Sequence, residues 1–443
     1  MLLNCTNKSS LRIILLLSLL FAIINLKGQS YTSYFTGNMN DTLTNAKGGI
    51  CMMGGATEND EAMKWFLQRA NGGDVLVLRT SGSDGYNNYM YSSLGIPVHS
   101  VETIVFNNAS ASNDLYIQNK IKQAEAIWFA GGNQWNYISY WRNTPIDSLI
   151  NVGLKTRNIV VGGTSAGMAI LGGIYFSAEN GTVTSATALS NPYDTHVQID
   201  TASFLQNDYL QNVITDTHYD NPSRKGRHLV FMARALTDYG MDAKGIACDE
   251  YTAVCIDTNG LASVYGGFPT YDDNAYFIQI NCEISNNVPE NCVANMPLNW
   301  NQGGQAIKVC KLKGNANGQN TFNLVDWRTT VGGQWEDYYI DNGVLHTMLG
   351  NQINCSTNIE NKEVVQTDIQ IFPNPAEDFV LIRSTHNIQL VSLLDLNGKL
   401  LFSTNPSSLE LRIDLQAFDT GIYFLKIQAK NRVSVRKLVV LTN

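Results

Sequence analysis

Ser165 stands in the frame Gly163-Thr164-Ser165-Ala166-Gly167, directly behind the β-branched run Ile159-Val160-Val161. A serine hydroxyl is a weak nucleophile until a base takes its proton. A β run, a glycine-flanked turn with serine at its apex, and small helix-forming residues after it make the layout of a nucleophile elbow. Such a turn lifts the hydroxyl clear of a sheet. The amide of Ala166, at a helix start, can then face a developing oxyanion. The plain alternative is a glycine-rich strand-to-helix turn with an inert serine.

The segments around this turn alternate between short apolar β runs and helical stretches from about residue 45 to 265. Strands are expected at Gly49–Met53, Asp74–Leu78, Val101–Phe106 and Ala126–Ala130, and helices at Asp60–Ala70 and Ala111–Ala124. Continuous apolar strands separated by helices imply a mostly parallel sheet covered on both faces. This predicts an α/β fold: a three-layer, doubly wound sheet. Ligands of such sheets lie at the carboxyl ends of the strands. Both Ser165 and the loop Gly131-Gly132-Asn133-Gln134 fall there, which points to one shared site. Residues 246–280 read as strand pairs. Residues 281–350 read as turn-rich and irregular, with Trp327, Trp335, Tyr338, Tyr339 and Ile340 packing against the sheet edge.

From about Thr367 to Asn443 the helical period disappears. Short strands such as Phe379–Ile382, Leu390–Asp395, Leu409–Ile413 and Gly421–Gln428 alternate with turn signals, including Pro373-Asn374-Pro375 and Asn397-Gly398. This predicts a small all-β sandwich behind the α/β domain. The expected boundaries are a signal peptide over 1–29, a first domain over 30–350, a linker over 351–367 and the sandwich over 368–443.

Composition bounds the function. Of 443 residues, 44% are hydrophobic and 15% charged, so the chain folds rather than staying disordered. Lys8 and Arg12 flank the apolar stretch Ile13–Ile24, a secretory signal too short for a comfortable transmembrane helix. No later segment is long and apolar enough to span a bilayer. The formal charge is −8, an acidic balance that disfavours nucleic acid as a partner. In an exported chain some cysteines should pair. Cys282 with Cys292 and Cys310 with Cys355 are two options that spacing alone leaves open, and Cys51 reads as a buried free thiol. No Cys/His spacing suggests a metal site, and no cofactor is expected.

Over most of residues 45–350 the chain resembles the cyanophycinase and dipeptidase E family of serine peptidases, whose fold is like that of class I glutamine amidotransferases. The likeness rests on Met53-Gly54-Gly55, Phe129 to Gln134, the Ser165 elbow, Asp216-Thr217-His218, the cluster Arg224, Gly226 and Arg227, and Asp249 to Ala253, in that order. The resemblance implies that Ser165 is the nucleophile and His218 the general base, with His196 and His228 as fallback bases. For the acid that orients the imidazole it points to Glu179, with Glu250 and Asp216 as alternatives. It implies oxyanion donors at Ala166 and at Gly132 or Gly131. Gln134, Asp216, Thr217, Arg224, Arg227 and Glu250 would shape the substrate pocket. Thr217 stands where the family tends to carry Gln, and Asp220-Asn221-Pro222 lengthens the span to the arginines. Both departures bear on the pocket that reads a β-linked aspartyl-arginine unit.

The C-terminal segment resembles the type A sorting domain of the type IX secretion system. It carries Phe372-Pro373-Asn374-Pro375-Ala376, Leu394 to Lys399, Thr420 to Lys426 and Val435 to Val440. Together the two resemblances imply a secreted or surface serine peptidase acting on cyanophycin-like or aspartyl peptides. Its partners would be the peptide and the type IX machinery, and a homodimer is the assembly considered. The rival reading is a catalytically inactive surface binding protein on the same scaffold.

Overall fold

A computed structural model describes residues 29–201, 204–355, 369–395, 400–429 and 432–441. All but the last residue of the expected signal peptide, most of the expected linker, and the Asn397-Gly398 turn lie outside the described residues. The chain divides into two compact units, Met1–Asn354 and Cys355–Asn443.

The first unit holds two large sheets. In the first, β2 (Ile50–Met53), β3 (Asp74–Arg79), β4 (Ser100–Phe106), β5 (Ala126–Phe129) and β6 (Val160–Thr164) form a parallel core in the order β4-β3-β5-β6-β2. β1 (Tyr31–Gly37) adds to it antiparallel beside β4. The other edge is extended antiparallel by β11 (Ala253–Ile256), β12 (Leu261–Phe268), β15 (Asn320–Asn323) and β16 (Thr330–Val331).

Side chains alternate across this sheet with the two-residue period of a strand. Val75, Val77, Ala126 and Trp128 join a core with Phe66 and Leu67 of helix α1 (Asp60–Ala70). Phe129 faces the other way and meets Trp141 of helix α2 (Gln134–Trp141), ring centroids 5.7 Å apart. Helices therefore cover both faces, which is why the central strands are apolar throughout.

A second, six-stranded sheet runs in the order β18-β17-β14-β13-β10-β9. β9 (Val213–Asp216) and β10 (Lys244–Cys248) are parallel to each other. β13 (Asn274–Ile280), β14 (Ile307–Lys313), β17 (Gly333–Asp341) and β18 (Val344–Leu349) follow antiparallel. Helix α3 (Lys225–Tyr239) shares a core with this sheet through Leu229, Val230 and Phe231. The 281–350 stretch, expected to be irregular, supplies three of the six strands. Of the residues expected to pack there, Trp335, Tyr338, Tyr339 and Ile340 lie on β17, with Trp335, Tyr338 and Ile340 buried, whereas Trp327 lies between β15 and β16.

The expected cysteine pairings do not form. Cys282 and Cys355 each take part in a disulfide bond, whereas Cys292 and Cys310 are buried free thiols. The Cys310 thiol on β14 donates to the Thr330 hydroxyl, 3.7 Å away.

The second unit is all-β: β19 (Ile369–Phe372), β20 (Phe379–Leu394), β21 (Leu400–Thr404), β22 (Ser408–Asp414), β23 (Gly421–Ala429) and β24 (Arg432–Val440). Strands expected separately at Phe379–Ile382 and Leu390–Asp395 are two halves of β20. Its first half pairs β22 and its second half β21 and β23, with register shifts between them. Val380, Ile382, Val391, Leu393, Leu425 and Ile427 share one core.

Candidate active site

Five strand ends converge at the carboxyl side of the two sheets: those of β2, β5, β6, β9 and β10. Ser165 follows β6 directly. Its backbone sits at φ 52° and ψ −117°, a region non-glycine residues rarely adopt. It is the only residue between Val160 and Ile170 that is not buried. The helix after it is a single turn, Ala166–Ala169. Gly167 permits the tight approach, because a Cβ there would collide with the Phe129 carbonyl of β5. Strain held at one exposed hydroxyl by buried surroundings is the pattern expected of a functional turn.

The imidazole of His218 meets this hydroxyl. Its Nε2 lies 2.8 Å from Ser165 Oγ. His218 itself sits at φ 46°, two residues beyond the end of β9. Its backbone N–H donates to Gly54 O at 2.7 Å, fastening the turn to the end of β2. Gly55, at φ +115°, passes so close to the ring that a Cβ would overlap Nε2. The other imidazole nitrogen, Nδ1, lies 2.6 Å from Glu250 Oε1. Glu250 stands two residues past β10, with its own N–H donating to Asp220 Oδ1 at 3.0 Å. The side chains of His218 and Glu250 are 22% and 20% exposed, so the relay is open to a substrate.

Glu179 does not take the acid position. It is exposed after the short strand Tyr175–Phe176, and its backbone N–H donates to Ser177 Oγ. Asp216 is also displaced from that position. It forms a fork-to-fork ion pair with Arg227, Nε to Oδ2 at 2.9 Å and Nη2 to Oδ1 at 2.5 Å, and both side chains are only 4% exposed. Burial pushes the Asp216 carboxyl up, but the Arg227 charge and hydrogen bonds outweigh burial and hold it below the usual range. Thr217 is buried too, with its N–H donating to Asp216 Oδ1 at 2.8 Å. These three residues, expected to line the pocket, are buried, with Thr217 and Arg227 both bonded to Asp216.

Arg224 remains a pocket candidate. It precedes α3, is half-buried, and its guanidinium has no hydrogen-bonding partner among the described residues. Gln134 is half-buried, with its amide nitrogen donating to Phe176 O. Of the two loop glycines, Gly131 faces Ser165, while Gly132 faces the Tyr137 hydroxyl. The N–H groups of Ala166, Gly131 and Gly132 have no acceptor among the described residues.

Neither fallback histidine reaches Ser165. His196 pairs with Asp194 at 2.8 Å. His228 is fully buried, its Nε2 3.1 Å from Ile214 O, and burial lowers its pKa to about 4. Beside Tyr251, a cleft of about 600 Å³ is lined by Glu58, Asp60, Tyr271 and Asp273. Sequence reading had no signal for it, because its walls come from segments some 200 residues apart.

Residues 52–262 match the model of peptidase family S51, and residues 370–441 match that of the secretion system C-terminal sorting domain. Over 52–262 the chain is therefore similar to peptidase family S51 and, behind it, to a sorting domain that indicates type IX secretion to the cell surface or outside. Ser165, His218 and Glu250 all lie within the matched peptidase segment, whereas β13, β14, β17 and β18 lie outside it. A cyanophycinase from Synechococcus elongatus is 23% identical over 228 residues, covering 50% of this chain and 66% of that protein. A peptidase from an acI-B1 actinobacterium superposes with TM-score 0.39 at 16% identity, over 52% of this chain and 91% of its own. A putative peptidase E from Listeria monocytogenes EGD-e gives TM-score 0.32 at 16% identity, over 50% and 100%.

Proposed function

We propose that the protein is a secreted serine peptidase that cleaves aspartyl or cyanophycin-like peptides through an acyl-enzyme on Ser165. One observation carries the reading: the unbroken relay Ser165–His218–Glu250, with hydrogen-bond distances of 2.8 and 2.6 Å. In this reading His218 Nε2 takes the hydroxyl proton as Oγ attacks the substrate carbonyl carbon. Glu250 holds the ring in the correct tautomer and stabilises the imidazolium that forms. The amides of Ala166 and of Gly131 or Gly132 receive the oxyanion. His218 then protonates the leaving amine, the ester forms, and water enters by the reverse route.

Two features bear on the substrate. The unpaired guanidinium of Arg224 suits a carboxylate. The cleft with Glu58, Asp60 and Asp273 suits a cationic group, as in an aspartyl-arginine unit. The N-terminal signal peptide and removal of the sorting domain after export belong to the same proposal.

The test uses a fluorophosphonate probe together with a panel of α- and β-linked aspartyl dipeptides and cyanophycin, with products read by mass. The expected result is labelling at Ser165 and hydrolysis that Ser165→Ala abolishes. A folded protein that takes no label and turns over nothing favours the binding-protein reading instead.

A further inference from the structure

Beneath the site, β2 and β11 place two cysteines face to face. Cys51 and Cys255 are 0% and 1% exposed, directly opposite in register, with their sulfurs 3.7 Å apart. The local ladder defines their geometry. Gly54 N donates to Thr252 O at 3.0 Å, which makes the 54/252 pair a hydrogen-bonded one. Because antiparallel pairs alternate, Cys51 and Cys255, three steps further along, form a non-hydrogen-bonded pair. In such pairs the Cα atoms approach to about 4.5 Å, inside the span of roughly 4.4–6.8 Å that a disulfide bridges. Both side chains point to the same face, into the core shared with Met53, Ala253 and α1. A bond between them needs rotation of the side chains but no movement of the backbone.

We infer that Cys51 and Cys255 are a disulfide-forming pair, joined when the exported chain folds in an oxidising compartment. The sorting domain takes the chain out of the reducing cytoplasm. The oxidant is an organic disulfide, whether a dithiol–disulfide oxidoreductase or a small disulfide. The Cys51 thiolate attacks one of its sulfurs, its S–S bond breaks, and the released thiolate takes up a proton. The Cys255 thiolate then attacks the Cys51 sulfur and displaces the second oxidant thiolate, which is protonated in turn. Two thiols are oxidised and one disulfide is reduced to two thiols. Burial pushes the Cys255 thiol far above its usual range, so the folded pair is inert. The bond forms before β11 closes on β2.

The cross-link lies where it holds the base and the acid in place. β2 runs into Gly54 and Gly55, whose carbonyls accept the N–H groups of His218 and Tyr251. β11 begins three residues after Glu250. The two cysteines are 204 residues apart in sequence, so the bond closes a long loop and removes much of the unfolded chain's freedom. The inference rests on register and export and does not depend on the peptidase chemistry.

The test produces the full chain in a bacterial periplasm, denatures it in iodoacetamide without reductant, digests it and maps the peptides by mass. A peptide containing Cys51 should be linked to one containing Cys255, while Cys248, Cys292 and Cys310 are alkylated. Alkylation of both Cys51 and Cys255, or a link from Cys51 to Cys248, overturns the inference. Reduction should lower the melting temperature of this protein by roughly 5–10 °C more than that of Cys51→Ala/Cys255→Ala, which keeps the Cys282 and Cys355 sulfurs. An equal drop in both proteins also overturns it.

Discussion

Ser165 stands at the end of β6, between parallel neighbours β5 and β2, whereas His218 and Glu250 stand at the ends of β9 and β10 in a different sheet. The position of the serine is a local matter. A strained backbone, a one-turn helix and a glycine pressed against the β5 carbonyl hold the hydroxyl up, and all of these lie within a few residues of it. The position of the histidine is assembled from a distance. Its N–H is caught by Gly54, its ring is framed by Gly55, and its partner Glu250 lies 32 residues further on. The two halves of the relay meet only because β2 closes beside β6 and receives the turn after β9. A serine turn can thus be encoded in a short motif, while the side chain that meets its hydroxyl depends on how two sheets meet.

Substitutions on each side should separate these halves. The largest loss is expected at the shared hydrogen bond. Ser165→Ala and His218→Ala should each lower kcat by about 10⁴–10⁶, and the double variant by no more than either alone, because the pair acts as a unit. Thermal melting should show Ser165→Ala within about 1 kcal/mol of the parent, since alanine keeps the strained backbone and loses one hydrogen bond. A double variant far slower than both singles would break the comparison.

Next comes the acid. Glu250→Gln should cost about 10³–10⁴ in kcat by spoiling the imidazole tautomer, while Glu179→Gln should stay within about twofold. The reverse ranking in steady-state kinetics would return the acid role to Glu179. Gly55→Ala follows, with a loss of roughly 10² in kcat, since its methyl must push the ring aside. Nuclear magnetic resonance of the His218 ring protons should report the displacement.

The two arginines should diverge. Arg227→Ala leaves Asp216 buried and unpaired and should cost about 3–5 kcal/mol in denaturant unfolding. Arg224→Ala should leave stability within about 1 kcal/mol and raise KM instead. A further test is a pH dependence at Asp249, where burial pushes the carboxyl up to about 7. Asp249 Oδ1 has no partner, while Asn274 donates to Oδ2 at 2.9 Å. The folded state holds a proton between about pH 4 and 7 that the unfolded chain has lost, so this group's contribution falls as pH rises through 7. Asp249→Asn should therefore melt above the parent at pH 8, and the gap should close by pH 4.

Much of the first sheet was legible because its strands carry their own signal. Ile50–Met53, Asp74–Arg79 and Ala126–Phe129 are continuous apolar runs that only a doubly covered sheet buries. The β14, β17 and β18 strands were not legible. Asn- and Gly-rich turns interrupt them, and their alternation is visible only once a neighbouring strand fixes which side is inside. Asp216 and Arg227 were read as pocket residues because the family resemblance places that pair beside the histidine. Neither residue type discloses that two opposite charges, 11 positions apart, neutralise each other out of contact with solvent.

The sequence by itself determined the serine turn, the alternation of strand and helix around it, and the change to an all-β tail, because each is a short-range pattern of residue size and backbone preference. Only the tertiary structure decided that Glu250 rather than Glu179 meets the imidazole, and that Cys51 faces Cys255. Those are choices among chemically equivalent side chains, and the register and closure of distant strands make them through hydrogen bonds that no local pattern specifies.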